Sequence, residues 1–136
     1  MTMNQKDLQI SCAVTEGVRI TVRSRYLADQ SLPAAGRYAF MYEVRIRNEG
    51  PQPVRLRSRH WIITDSTGKV AEVRGEGVIG QQPLLRPGEH FDYVSGAVLE
   101  TPRGGMRGSY EMQRPNGSAF QAMIAPFVLA QPHSLN

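Results

Sequence analysis

The sequence predicts an all-β chain folded as two packed sheets. Three observations predict it. Apolar and polar residues alternate with period two through several stretches. Clusters of glycine, proline and asparagine separate those stretches at short intervals. No run of ten or more residues carries the 3.6-residue period of an amphipathic helix. About eight strands follow, at the spacing of a β-sandwich or barrel.

The first strand read this way is Val18 to Arg23, where Val18, Ile20 and Val22 share one face and Arg19, Thr21 and Arg23 the other. Leu27 to Gly36, with Pro33 and Gly36, is a loop. Tyr38 to Arg47 is the longest clean strand, with Tyr38, Phe40, Tyr42, Val44 and Ile46 inward and Glu43, Arg45 and Arg47 outward. Asn48 to Pro53 is a turn by composition. Strand propensity resumes over Val54 to Thr64, where Val54, Leu56, Ser58, His60 and Ile62 alternate with Arg55, Arg57, Arg59 and Trp61. Asp65 to Gly68 turns the chain into a short strand around Val70 to Val73, and a further strand covers Gln82 to Leu85. Pro87-Gly88 leads to His90–Leu99, with Phe91, Tyr93 and Ser95 on one face. Pro102 to Gly105 is expected to break the chain. Ser109–Gln113 and Ala119–Ile124 flank Pro115-Asn116-Gly117, a hairpin turn, and Phe127, Val128 and Leu129 close the core. The polar ends are expected to fray, leaving an ordered core of roughly residues 8–130 in one domain spanning 1–136.

Charge bears on topology. If Tyr38 to Arg47 and Val54 to Thr64 paired as a hairpin, Arg45 and Arg47 could lie opposite Arg57 and Arg55. Like charges directly opposed across a sheet are unfavourable. Placing the two strands in different sheets removes the conflict, which is the connection an immunoglobulin-like sandwich makes between its second and third strands.

Composition bounds the function. Hydrophobic content of 40% and charged content of 21% are those of an ordinary globular domain. No run approaches the roughly 18 apolar residues of a membrane helix, so membrane insertion is not expected. The first residues lack a signal-peptide apolar region, and Cys12 is the lone cysteine; both suit the cytoplasm. The net charge is +4, and only Lys6 and Lys69 are lysines among 16 basic residues. Arginine forks suit carboxylate or phosphate. The arginines are spread along the chain and not clustered, so no nucleic-acid partner is expected.

Gly75-Glu76-Gly77-Val78-Ile79-Gly80 matches the G-x-G-x-x-G of dinucleotide-binding loops. That motif holds pyrophosphate against a helix N-terminus. Pro83, Pro87 and Gly88 follow closely, and a helix interior rejects proline by about 3 kcal/mol. The string therefore reads as a shaped bend between strands. Two roles suit it: glycines permitting positive φ, or backbone amides gripping an anion, with Arg74 and Arg59 as counter-charges and Glu76 opposing.

Other candidates are weaker. His60 and Trp61 are adjacent on a strand and point to opposite faces, so one of them belongs to the core. His60, His90 and His133 lack the short spacing of a metal site, and His90 with Asp92 supplies only two ligands. No serine sits in a nucleophile elbow and no carboxylate pair is marked by spacing. No metal, cofactor or catalytic residue is expected.

Several strings together carry a family resemblance: Arg37-Tyr38-Ala39-Phe40-Met41-Tyr42-Glu43-Val44-Arg45-Ile46, Ser58-Arg59-His60-Trp61-Ile62-Ile63-Thr64-Asp65, Glu72 to Pro83 around the glycines, Leu85-Arg86-Pro87-Gly88, Phe91-Asp92-Tyr93, and Thr101 to Tyr110. Nearly the whole chain resembles the bacterial ApaG family. The resemblance implies a fibronectin type III-like β-sandwich, related in eukaryotes to domains appended to F-box proteins and to a DNA-polymerase-delta-interacting protein, where it looks like a partner-binding module. It links the bacterial proteins to cobalt resistance, magnesium efflux and a diadenosine tetraphosphate hydrolase. The family's pyrophosphate motif falls on Gly75, Gly77 and Gly80. The expectation is a non-catalytic protein-binding module, a monomer or weak dimer with an unidentified protein partner. The alternative is a sensor of pyrophosphate or a nucleotide polyphosphate.

Overall fold

A computed structural model describes residues 8–132. Nine strands form in chain order: β1 (Gln9–Thr15), β2 (Val18–Tyr26), β3 (Tyr38–Asn48), β4 (Val54–Asp65), β5 (Val70–Glu76), β6 (Leu84–Leu85), β7 (His90–Leu99), β8 (Arg103–Gln113) and β9 (Ala119–Ala130). They make two antiparallel sheets in the orders β1-β2-β3-β7 and β5-β4-β8-β9, with β6 also paired to β4. Two short 3-10 turns, Ala28–Gln30 and Pro33–Ala35, lie between β2 and β3.

β3 and β4 fall in different sheets, the arrangement that the charge argument favours over a shifted register. Arg45 then faces Asp92 on β7, and Arg47 faces Arg19 and His90. Arg19 and Arg47 are like charges directly opposed, and Glu49 in the following turn serves both, at 2.9 and 3.9 Å.

The inward faces meet as the alternation predicts. Val18, Ile20 and Val22 of β2 and Phe40, Tyr42, Val44 and Ile46 of β3 are buried against Trp61, Tyr110, Met112, Ala122, Ile124, Phe127 and Leu129. Trp61 is the hub. Its ring lies 5.2 Å from Tyr42 and meets Tyr110 and Phe127 edge-on at 6.2 and 6.0 Å. Such pairs add about 0.5–1.5 kcal/mol each beyond area burial.

Three sequence expectations change. In β4 the register against β8 skips Arg57, a β-bulge between Leu56 and Ser58. One extra residue reverses the facing of everything beyond it. Val54 and Leu56 therefore point inward, then Arg59 and Trp61 do, and Ser58, His60 and Ile62 point out. Second, Gly104 and Gly105 do not break the chain but lie inside β8, which starts at Arg103. Third, Gln9–Thr15 is a strand that the alternation did not yield, because its faces are inverted: Ile10 and Val14 turn outward, and Ser11 is buried. His133 lies outside the described residues.

The two lateral sides of the sandwich differ. On one side β1 lies against β9: the Met123 amide donates to Thr15 Oγ1 at 3.1 Å, and Arg114 pairs with Glu16. Ser24 Oγ of β2 donates to the Val128 carbonyl at 3.0 Å, tying the same side across the sheets. On the other side, the substantial contacts of β5 are with β4 alone, and those of β7 with β3 alone.

Candidate functional site

The glycine string spans the end of β5 and the bend after it, and each glycine has its own physical reason. Gly75 sits opposite Arg59 in the β4–β5 ladder. The Arg59 guanidinium lies flat on it, so that a Cβ there would come 2.8 Å from Cζ. The same guanidinium donates to the carbonyls of Glu76 and Gly77, both at 3.0 Å. Gly77 has φ +62°, and a Cβ on it would fall 2.2 Å from the Gln81 carbonyl oxygen. Ile79 and Gly80, with φ 45° and 72°, are the central residues of a two-residue turn closed by reciprocal bonds between Val78 and Gln81 at 2.8 and 2.9 Å. Two-residue hairpin turns with positive φ at both positions match the twist of antiparallel strands.

Three amides of the bend are taken up by backbone carbonyls. The Gly77 amide donates to the Arg57 carbonyl at 2.8 Å, and the amides of Val78 and Gln81 close the turn. Arg59 Nη1 donates to the Glu76 and Gly77 carbonyls. Arg74 lies opposite His60, and with Arg59 and Gly75 it lines a single depression.

His60 is on the outer face of this sheet, with Nε2 3.1 Å from Glu72 Oε1. Cross-strand rows there read Glu76–Ser58–Glu111–Gln121 and Arg74–His60–Ser109–Met123. Between them lies an open depression of about 560 Å³ of mixed charge. His90 Nδ1 is 3.1 Å from Asp92 Oδ1, but the Asp92 carboxylate is already held by a two-pronged Arg45 contact at 3.0 and 2.8 Å. The Arg45 bond, with its charge, holds Asp92 below the usual carboxylate range, and the His90 contact adds to this. Among the described residues no group of three His, Cys, Asp or Glu side chains is placed to hold a metal ion, and no helix is long and apolar enough to cross a membrane.

Two features escaped the sequence reading. Tyr93 and Tyr110 are buried with their hydroxyls hydrogen-bonded to each other, and burial raises the pKa of both. The inward parity of Tyr93 was the signal for that pair. The other is the clustering of outward arginines on β2 and β3, described below, which the alternation of each strand contained but whose strand order it did not.

Two antiparallel sheets, a crossing from β3 to β4 and a core built around Trp61 define a fibronectin type III-like β-sandwich. The family model described as ApaG domain matches residues 28–114. The chain is 56% identical to Protein ApaG of Anaeromyxobacter dehalogenans (strain 2CP-C), over 93% of this chain and 100% of that one. It is 53% identical to Protein ApaG of Xanthomonas campestris pv. campestris (strain B100), over 88% and 94%. A crystal structure from Bordetella pertussis superposes with a TM-score of 0.84 at 51% identity, covering 86% of this chain and 95% of that one. The chain belongs to the ApaG family.

Proposed function

We propose that this chain is a non-catalytic protein–protein interaction module whose partner adds an extended segment at the open side of the sandwich. The observation that carries the reading is β5, an edge strand whose substantial contacts are with β4, with Val70 and Val73 exposed. The edge strand on the other side of the opening, β7, carries exposed Val94 and Val98 on its outer face. An edge strand presents a row of unpaired amides and carbonyls that an incoming strand can complete, while alternate side chains supply specificity. Any link to cobalt resistance, magnesium efflux or diadenosine tetraphosphate metabolism then runs through the partner, in the cytoplasm, with no chemical step on this chain.

Capture from a native cell extract tests it. Val73 is 41% exposed, so Val73→Lys should change stability by no more than about 0.5 kcal/mol. It should also remove the recovered partner, because lysine on an edge blocks strand addition. Equal recovery by the variant defeats the edge reading. Repeated recovery of no specific partner by the wild-type protein defeats the module reading itself.

A further inference from the structure

The two outer faces of the sandwich carry different charge. On the β5-β4-β8-β9 sheet, the outward Arg55, Arg74, Arg103 and Arg107 are nearly balanced by Glu72, Glu76 and Glu111. On the β1-β2-β3-β7 sheet, Arg19, Arg23, Arg25, Arg45 and Arg47 stand outward against Glu43 and Asp92. The register sets these residues in cross-strand rows: Val14–Arg19–Arg47–His90, Cys12–Thr21–Arg45–Asp92 and Ile10–Arg23–Glu43–Val94, with Arg25–Met41–Gly96 beyond.

The charge of Arg19, Arg23, Arg45 and Arg47 is not used up among the described residues. Asp92 serves Arg45, and the single carboxylate of Glu49 serves both Arg19 and Arg47. The Arg23 side chain makes no ion pair or hydrogen bond among the described residues, although Glu43 sits opposite it. Arginine stems often cover neighbouring aliphatic groups. Here they leave Ile10 56% exposed opposite Arg23 and Val14 50% exposed opposite Arg19. The face thus offers guanidinium forks beside bare aliphatic side chains.

We infer that the outer face of the β1-β2-β3-β7 sheet docks an acidic protein segment that also carries aliphatic side chains. Guanidinium forks pair bidentately with carboxylates, and the larger excess of arginine on this face steers an acidic partner. Side chains on one face of a strand repeat about every 6.5–7 Å, the same repeat an extended peptide offers. Single-stranded nucleic acid is the poorer match. It gains from aromatic stacking platforms, and no Phe, Tyr or Trp stands among the outward residues of these rows, where aliphatic ones do. The inference rests on the interaction-module reading but uses a different surface from the β5 edge.

A synthetic peptide of about twelve residues repeating Glu-Glu-Leu-Leu, which sets both residue types on one face of an extended chain, is the probe, titrated into the labelled full-length protein with amide and arginine side-chain NMR as readout. Signals of β1, β2 and β3 and the Nε–H groups of Arg19 and Arg23 should move. Affinity should fall roughly tenfold or more between about 50 and 300 mM salt. Arg23→Glu should weaken binding about tenfold, Arg23→Gln by less, and Ile10→Ser with Val14→Ser severalfold, with unchanged melting curves. Three results overturn the inference: no shifts at about 1 mM peptide, equal affinity of Arg23→Glu, or an oligothymidylate of similar charge binding as tightly. Shifts confined to β5 and β7 also overturn it, while leaving the edge reading standing. Loss of the edge reading through Val73→Lys leaves this face untouched.

Discussion

Along β1 and β9 the two sheets are stitched together, whereas along β5 and β7 they are left apart. The stitched side uses short polar side chains turned inward: Thr15 takes the Met123 amide, and Ser24 reaches the Val128 carbonyl. β1 accordingly hides serine and threonine and shows isoleucine and valine to solvent. The open side has exposed aliphatic residues along its strands, and cross-links near the strand ends, where Lys69 Nζ is 3.7 Å from Glu100 Oε1 and the Ser66 amide donates to Thr101 Oγ1 at 3.2 Å. A hydroxyl facing an edge amide removes that amide from the reach of any partner. A valine beside an unpaired amide leaves it available. The difference is one of residue type at a few positions and not of strand count.

The largest effect on this contrast is expected from Gly77→Ala. The new Cβ would collide with the Gln81 carbonyl in a left-handed conformation. The loss should be about 2–4 kcal/mol, read by denaturant unfolding. A change below about 0.5 kcal/mol would mean that β5 does not depend on the bend that follows it. Ser24→Ala comes next. Removing a partly buried bond across the stitched side should cost about 1 kcal/mol. It should leave partner capture at the open side intact, and loss of capture would show the two sides to be coupled.

The smallest effect is expected from Asp92→Asn, at the arginine face. Arg45 depresses the Asp92 pKa. The carboxylate therefore favours the folded state above its ordinary value of about 3.9, and this contribution disappears as pH falls through the lower folded value. Both partners are roughly half exposed, so the pair is worth less than about 1 kcal/mol. The variant should show a shallower loss of stability below about pH 4 than the wild type. Parallel acid limbs would show that the pair is screened to nothing.

The sheets were legible in the sequence wherever alternation ran unbroken, as in β2 and β3, and the separation of β3 from β4 followed from opposed arginines. Three features were not. β1 has its apolar residues on the solvent side, so periodicity names the wrong face. Arg57 adds one residue to β4, and no local signal distinguishes a bulged arginine from an outward one. Gly104 reads as a breaker, yet it marks close backbone approach, as Gly108 also does: a Cβ would fall 2.4 Å from the Thr64 oxygen or 2.0 Å from the His60 oxygen. At the glycine loop, the absence of a following helix was legible from the prolines. That Arg59 would hold its carbonyls depended on the bulge, which turned Arg59 toward Gly75.

Arg59 has a thermodynamic consequence for association. Its guanidinium fixes the carbonyls at the end of β5 from within, so a strand exposed along most of its length is anchored where it would otherwise fray. Ordering a loose segment on binding costs about 0.5–1.5 kcal/mol for each mobile side chain immobilised, with backbone ordering in addition. An edge ordered in advance spares an incoming strand much of that loss, so even a short partner segment can bind with useful affinity.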